Sequence, residues 1–256
     1  MTKLTDKTVL ITGASSGIGK SCATYFAQEG ARLILVARRK DRLDSLAQEL
    51  KNKFQTKILA QELDVRDRKA VEEFISSLPK EWTEIDILVN NAGLARGRAK
   101  IYEGDWSDWD EMIDTNVKGL LAMSRAVLQG MIARNRGHII NIGSIAGHEP
   151  YPGGNVYNVT KFGVHALTRG MRMDLSGTKI RVSSVDPGMV ETEFSIVRFH
   201  GNKDEADRTY EGMKPLTPDD IAEVVLFVAT RPPHVDIQDV LVMPTDQASA
   251  TIVSRE

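Results

Sequence analysis

Tyr157 and Lys161 stand four residues apart in a stretch that reads as one helix over residues 154–175, so their side chains share a helical face. A tyrosine is a weak acid with a reference pKa of about 10. A neighbouring cation stabilises the phenolate and brings proton exchange toward neutral pH. Ser144 follows the apolar strand of residues 137–143, and its hydroxyl could hydrogen-bond a substrate oxygen as charge changes there. Taken alone, Tyr-x-x-x-Lys is also the pattern of two solvated residues on a helix. Its company sets it apart: the turns Gly13-Ala14-Ser15-Ser16-Gly17-Ile18-Gly19 and Asn90-Asn91-Ala92-Gly93 both precede it.

The elements that must position these groups begin with the strand Thr8–Thr12, which delivers the glycine-rich turn to an amphipathic helix ending at Gly30. Glycine lets the backbone approach a phosphate closely, and free N–H groups at a helix start favour the anion. The spacing Gly13-x3-Gly17-x-Gly19 differs from the general G-x-G-x-x-G fingerprint, so a plain strand–helix turn is the competing reading. The second strand, Arg32–Ala37, runs into Arg38 and Arg39 where an NAD enzyme places a ribose-binding carboxylate. Two guanidinium groups without that acid suit a 2′-phosphate and point to NADP(H), although Arg39 could equally be a solvated residue.

Residues 40–53 carry Leu43, Leu46, Ala47 and Leu50 at helical spacing. Residues 57–63 read as a strand that delivers Asp64 and Val65, and Asp64 could accept from the adenine amino group or cap the next helix. Val71, Phe74, Ile75 and Leu78 mark that helix, which Pro79 stops. Residues 85–89 form a continuous apolar strand, as expected where both sheet faces are covered. A long helix is expected over 107–134, with Asn116 inside it. Asparagine is a poor helix former, so it is either idle there or marks a local distortion at a functional site. Residues 179–185 and 240–243 read as strands, Pro218–Ala229 as a helix, and the poorly periodic stretch from 194 to 213 as a mobile lid. Alternating strands and helices imply right-handed crossovers and a parallel sheet.

Composition narrows the partners. With 33 basic and 35 acidic residues the formal charge is -2, which favours small molecules over nucleic acid or an anionic membrane. No apolar run approaches the ~20 residues that span a bilayer, and the N-terminus reads without a leader, so a cytoplasmic protein is expected. Cys22, the one cysteine, falls in an apolar helical pattern and reads as core packing. No metal site is expected.

Together, Thr12-Gly13-x3-Gly17-x-Gly19, Asn90-Asn91-Ala92-Gly93, Asn116, Ser144, Tyr157-x3-Lys161 and Pro187-Gly188 resemble the motif series of the short-chain dehydrogenase/reductase family, in order and over essentially the whole chain. The resemblance implies a single-domain Rossmann-type α/β fold over residues 1–256, a doubly wound parallel sheet of about seven strands with helices on both faces, and a substrate lid at about 189–213. It implies a catalytic tetrad in which Tyr157 is the acid in reduction and base in oxidation, Ser144 orients the substrate oxygen, Lys161 lowers the tyrosine pKa and binds the nicotinamide ribose, and Asn116 holds a water. The NADP(H) contacts implied are Gly13, Ser15, Ser16, Gly17, Ile18, Gly19, Arg38, Arg39, Asp64, Val65, Asn91, Ala92, Gly93, Tyr157, Lys161, Pro187, Gly188, Val190 and Thr192, with Thr12 and Asn90 supporting the sheet. A homo-oligomer, tetramer or dimer, follows from the same resemblance.

Residues 142–147, Tyr151-Pro152, residues 193–199 and Pro244-Thr245-Asp246-Gln247 are most similar to the branch of NADP-dependent 3-hydroxy acid dehydrogenases, which includes serine and L-allo-threonine dehydrogenases. In such an enzyme Arg198 could pair with the substrate carboxylate; gripping a cofactor phosphate or facing solvent are the alternatives. Arg96 and Arg98 depart from that branch, and the chemistry of His148 is ambiguous. A broad NADPH carbonyl reductase for neutral aldehydes and ketones, and a non-catalytic NADP-binding regulator, are the competing functions.

Overall fold

The computed structural model describes residues 4–256; residues 1–3 of the domain expected over 1–256 lie outside the described residues. The strands are β1 (Thr8–Thr12), β2 (Arg32–Ala37), β3 (Ile58–Glu62), β4 (Ile87–Asn90), β5 (Gly137–Ile142), β6 (Ile180–Pro187) and β7 (Asp239–Val242). Between them run α1 (Gly17–Gln28), α2 (Lys40–Phe54), α3 (Arg68–Ser76), α4 (Trp106–Ile113), α5 (Leu120–Arg134), α6 (Asn155–Asp174), α7 (Phe194–Arg198), α8 (Lys203–Arg208) and α9 (Pro218–Ala229).

Side chains alternate across a strand, and the inner strands bury both faces. Val9 and Ile11 of β1, with Leu33 and Leu35 of β2, pack under α1, α2 and α9 through Phe26, Leu43, Leu50, Ile221 and Val225. Leu10, Ile34 and Val36 point the other way, onto Val71 of α3 and Met123, Val127 and Met131 of α5. Cys22 is fully buried in the first of these layers. Burial pushes its thiol up to about 12, as expected of a packing residue.

All neighbouring strands pair in parallel, in the order β3-β2-β1-β4-β5-β6-β7. The chain builds outward from β1 through β3, then returns to β1's other side with β4. That reversal opens a crevice beyond the carboxyl ends of β1 and β4, the place where such sheets take ligands.

One open alternative is resolved and one expectation is corrected. The helix expected over 107–134 is α4 and α5 joined by a π-helical turn at Asp114–Gly119, so the chain takes the distorted form around Asn116. Gly119 is needed there, because a Cβ would sit 2.7 Å from Val65 Cγ2. The stretch from 194 to 213 is not featureless: α7 and α8 form there. Ser195 Oγ and Tyr210 OH lie 2.8 Å apart, and the Tyr210 hydroxyl donates to the Val190 carbonyl at 2.8 Å. Periodicity missed these helices because each is too short to show a repeat. Among the described residues no helix is long and apolar enough to cross a membrane.

Candidate active site

The crevice holds a cavity of about 320 Å³, and two turns stitched to each other form its floor. Gly13 and Gly17 have φ of +65° and +51°, a region that favours glycine. A Cβ on Gly13 would lie 2.9 Å from Ala92 Cα, and one on Gly19 would run into the Gly13 carbonyl. Thr12 Oγ1 accepts from the Asn91 and Ala92 amides at 3.0 and 2.9 Å, and Asn91 Nδ2 donates to the Thr12 carbonyl at 2.9 Å. Asn90 Nδ2 donates to Ser124 Oγ and Asn141 Oδ1, both at 2.9 Å, beneath the same floor.

Of the expected cofactor residues, Gly13, Ser15, Ser16, Gly17 and Ile18 line one wall, and Asn91, Ala92 and Gly93 the floor. Pro187, Gly188, Val190 and Thr192 line the inner end with Tyr157 and Lys161. Gly19 does not reach the cavity; it is buried where α1 crosses the turn. Gln247, which is 4 % exposed, accepts from the Met189 amide at 2.8 Å and so holds the segment after Pro187.

Arg38, Arg39, Asp64 and Val65 line the outer end. Arg39 Nη2 donates to Ser16 Oγ at 2.7 Å and Nε to Ser15 Oγ at 3.3 Å, which places its guanidinium over the phosphate turn. Its Nη1 pairs with Glu193 at 2.8 Å, and Arg42 meets the same carboxylate at 2.7 Å. Asp64 does not cap α3; Asp67 does, accepting from Ala70 N at 3.0 Å. Burial would raise the Asp64 carboxyl, but hydrogen bonds and charge from Arg66 outweigh it and hold the acid below its ordinary value. A 2′-phosphate fits this end, since the lining acids Asp64 and Glu193 are paired with arginines and Arg38 and Arg39 offer donors.

At the inner end, β5 delivers Ser144 and α6 delivers Tyr157 and Lys161. Ser144 Oγ accepts from the Ala146 amide at 3.1 Å, opening a 3₁₀ turn over Ile145–Gly147. Tyr157 is buried, and burial raises its pKa; the Arg198 charge and the Ser144 hydroxyl work against that rise. Lys161 Nζ stands 5.8 Å from the Tyr157 ring centre and donates to the Ile142 carbonyl at 2.9 Å. Burial brings Lys161 down to about 8, with Asp186 pulling the other way. The phenol therefore sits above its ordinary value, where the Tyr-x-x-x-Lys spacing led us to expect it below. The cation that opposes the rise comes from α7, not from the helical pair.

Asn116 faces the site from behind. Its Oδ1 accepts from the Leu94 amide at 2.8 Å, and its Nδ2 donates to the Leu94 carbonyl at 2.8 Å and to Thr160 Oγ1 at 3.1 Å. It thus clamps the end of the Asn-Asn-Ala-Gly turn to α6. A Cβ on Gly93 would lie 3.3 Å from Asn116 Oδ1 and 3.8 Å from Lys161 Nζ.

Beneath the Ser144 turn lies a cluster that the sequence left unassigned. Asp186 Oδ2 accepts from His148 and His165 Nε2 at 3.1 and 3.0 Å, and Oδ1 from Ser184 Oγ at 2.6 Å. The three donor groups, His148, His165 and Asp186, lie within 4.8 Å of one another, but both imidazole nitrogens are satisfied on the carboxylate. Arg96 has a structural role here: Nε pairs with Glu111 at 2.6 Å and Nη1 donates to the Val197 carbonyl at 2.7 Å.

Residues 7–203 match the family model described as short chain dehydrogenase. An NADP-dependent 3-hydroxy acid dehydrogenase of Schizosaccharomyces pombe is 50 % identical, over 100 % of this chain and 99 % of its own length. The Escherichia coli K12 protein named NADP-dependent 3-hydroxy acid dehydrogenase YdfG is 49 % identical, over 94 % and 96 % of the two chains. The closed form of a serine dehydrogenase complexed with NADP+ superposes with a TM-score of 0.91 at 48 % identity, covering 97 % of this chain and 99 % of that one.

Proposed function

The chain belongs to the short chain dehydrogenase family, and from that premise we propose that it interconverts 3-hydroxy acids and 3-oxo acids as an NADP-dependent oxidoreductase. The observation that carries the reading is one cavity with Arg39 set on Ser15 and Ser16 at its outer end and Tyr157, Lys161 and Ser144 at its inner end. When bound, NADP supplies the hydride acceptor for oxidation, and NADPH the donor for reduction. The glycine turn, Asn91 to Gly93, and the segment from Pro187 to Thr192 would hold it.

The protein's own part is positioning and proton transfer. Tyr157 takes the hydroxyl proton of the alcohol as phenolate and returns it as phenol in the reverse direction. Ser144 Oγ, set by the Ala146 amide, donates to the same substrate oxygen as charge develops on it. Lys161, anchored on the Ile142 carbonyl, would hold the nicotinamide ribose, while Arg198 is the cation that favours the phenolate. Asn116 fixes Leu94 and α6 relative to one another, so that floor and proton donor keep their separation. Residues 1–256 act as one dinucleotide-binding and catalytic unit, with the segment from 189 to 213 as its lid.

A screen of NADP+ and NAD+ against 3-hydroxy acids and neutral alcohols tests the assignment. The expected result is NADP+-dependent oxidation of L-allo-threonine or L-serine in excess of any neutral alcohol. A preference for neutral alcohols would replace the acid reading with a general carbonyl reductase. Homo-oligomerisation is part of the proposal, supported by Val159, Phe162 and Met173 on one exposed face of α6 at 66, 42 and 76 % exposure. Light scattering giving a monomer would remove it. A cytoplasmic location, supported by a single cysteine that can form no intrachain disulfide, is tested by fractionation.

A further inference from the structure

Arg198 is a half-buried guanidinium beside the reacting tyrosine that lacks a carboxylate. Five arginines around the site are paired: Arg38, Arg66 and Arg96 share Glu111, and Arg39 and Arg42 share Glu193; Arg98 has no carboxylate among the described residues but is exposed and donates to the Pro152 carbonyl at 3.4 Å. Arg198 Nε donates to the Gly97 carbonyl at 3.4 Å and Nη2 to the Tyr151 hydroxyl; Nη1 has no hydrogen bond among the described residues. Its Cζ stands 5.3 Å from the Tyr157 ring centre, 5.4 Å from that of Tyr151 and 5.9 Å from that of Phe194. Aromatic faces attract a cation without neutralising it, so a partly buried charge with unused donors is completed by an anion.

The position is built rather than incidental. Gly97 N donates to the Arg198 carbonyl at 2.8 Å, and Arg96 ties the preceding carbonyl, that of Val197, at 2.7 Å. Arg198 does not line the large cavity that would take the dinucleotide. It lines a separate cavity of about 20 Å³, and Tyr157 is the one residue that lines both that cavity and the large one. An anion held here sits where the substrate meets the tyrosine, not at a cofactor phosphate.

We propose that Arg198 is the receptor for the substrate carboxylate, with the Tyr151 hydroxyl holding its place until an acid enters. The proposal rests on the 3-hydroxy acid reading above. In such an acid one carbon separates the carbinol carbon from the carboxylate. A hydroxyl placed at Tyr157 and Ser144 therefore leaves the carboxylate a short reach, matched to a guanidinium set against the same ring. The small cavity holds about one water, and Asp105 and Asp108 line it, so the acid reaches Arg198 by displacing the Tyr151 hydroxyl from Nη2 rather than by filling that cavity. The planar fork then offers two parallel N–H donors.

The test compares kcat/KM for 3-hydroxypropanoate and its methyl ester, with NADP+, in the native enzyme, Arg198→Gln, Arg198→Lys and Arg98→Gln. Loss of a charge-assisted contact predicts that the acid-to-ester ratio falls roughly tenfold to a hundredfold in Arg198→Gln, through KM more than kcat. Arg198→Lys, which keeps a point charge without the fork, gives an intermediate ratio, and it carries the test should Arg198→Gln fail to bind NADPH. Arg98, exposed and 5.7 Å over the other side of Tyr151, is the comparison. An unchanged ratio in Arg198→Gln, or a fall in Arg98→Gln instead, overturns the proposal while leaving the 3-hydroxy acid function intact. A native enzyme that oxidises the ester but not the acid overturns both.

Discussion

Asp186→Asn should cost both stability and the setting of the active-site turn. Asp186 has no exposed surface, and its carboxylate accepts from His165, His148 and Ser184 at 3.0, 3.1 and 2.6 Å. Asparagine keeps the shape and removes the charge. A hydrogen bond to a charged group contributes about 1.5–3 kcal/mol. The two histidines can relax toward solvent, so we set the total loss at ~3 kcal/mol, the low end for breaking a buried pair. For a chain of this size that is roughly 6–12 °C in Tm. Burial opposes the Asp186 carboxylate, but the His165, Ser184 and His148 contacts outweigh it and depress its pKa, while the Asp186 hydrogen bond leads in raising that of His165. The depressed acid contributes stability above its unfolded pKa, and that is lost as pH falls through the folded value. The raised imidazole contributes fully below about 6.5 and loses its share as pH climbs through the folded pKa. The deficit of the variant is therefore largest near pH 5–6.5 and smaller at pH 9. Thermal melts followed by circular dichroism at pH 5.5 and pH 9 measure it. A deficit under about 2 °C at pH 5.5, or an equal deficit at both pH values, would refute the reasoning.

Tyr157→Phe removes the proton carrier and should abolish turnover while NADPH still quenches protein fluorescence; a variant keeping most of its kcat would refute the acid–base role. Arg38→Asp places an acid where a 2′-phosphate fits, and should cut the ratio of kcat/KM for NADPH over NADH by at least about tenfold. Comparable constants for the two cofactors in the native enzyme would remove the basis of that expectation. Glu193→Gln frees Arg39 and Arg42 from a carboxylate that is 43 % exposed. Exposed pairs contribute about 0–1 kcal/mol, so the Kd for NADPH should fall by no more than about fivefold; a rise would show that Glu193 helps to hold the cofactor instead.

The parallel sheet and the cofactor cleft were legible because they follow from local rules. An apolar strand with both faces covered, a glycine where a Cβ would strike Ala92, and an acid-free end to β2 all leave marks on neighbouring residues in the sequence. The distortion at Asn116 was legible only as a poor helix former inside a helix. Its cause is tertiary, since Oδ1 and Nδ2 are both engaged by Leu94 from another turn. Arg96 was hidden for a similar reason. Its place soon after Gly93 left its role open, and Glu111 and the Val197 carbonyl, 101 residues away, take its donors. Separation in sequence likewise conceals the grip of Glu193 on Arg39, and of His148 and His165 on Asp186.

The largest departure concerns what makes Tyr157 reactive. Spacing along α6 suggested that Lys161 alone would stabilise the phenolate, but burial acts on both residues and in opposite chemical senses. It raises the phenol and lowers the ammonium to about 8, so each is pushed toward its neutral form. Two charges outside the pair correct this. Asp186, below the Ser144 turn, keeps Lys161 protonated longer, and Arg198, from α7, favours the phenolate. One correction comes from the sheet and is permanent; the other arrives on the lid and is shared with whatever anion Arg198 holds. A carboxylate on Arg198 therefore weakens the pull on Tyr157 and leaves the phenol more fully protonated, the form needed to give a proton to a 3-oxo acid. In the oxidative direction the phenolate then has less of the Arg198 charge to favour it and rests on the Ser144 hydroxyl, while Asp186, under the same turn, goes on favouring the charged form of Lys161.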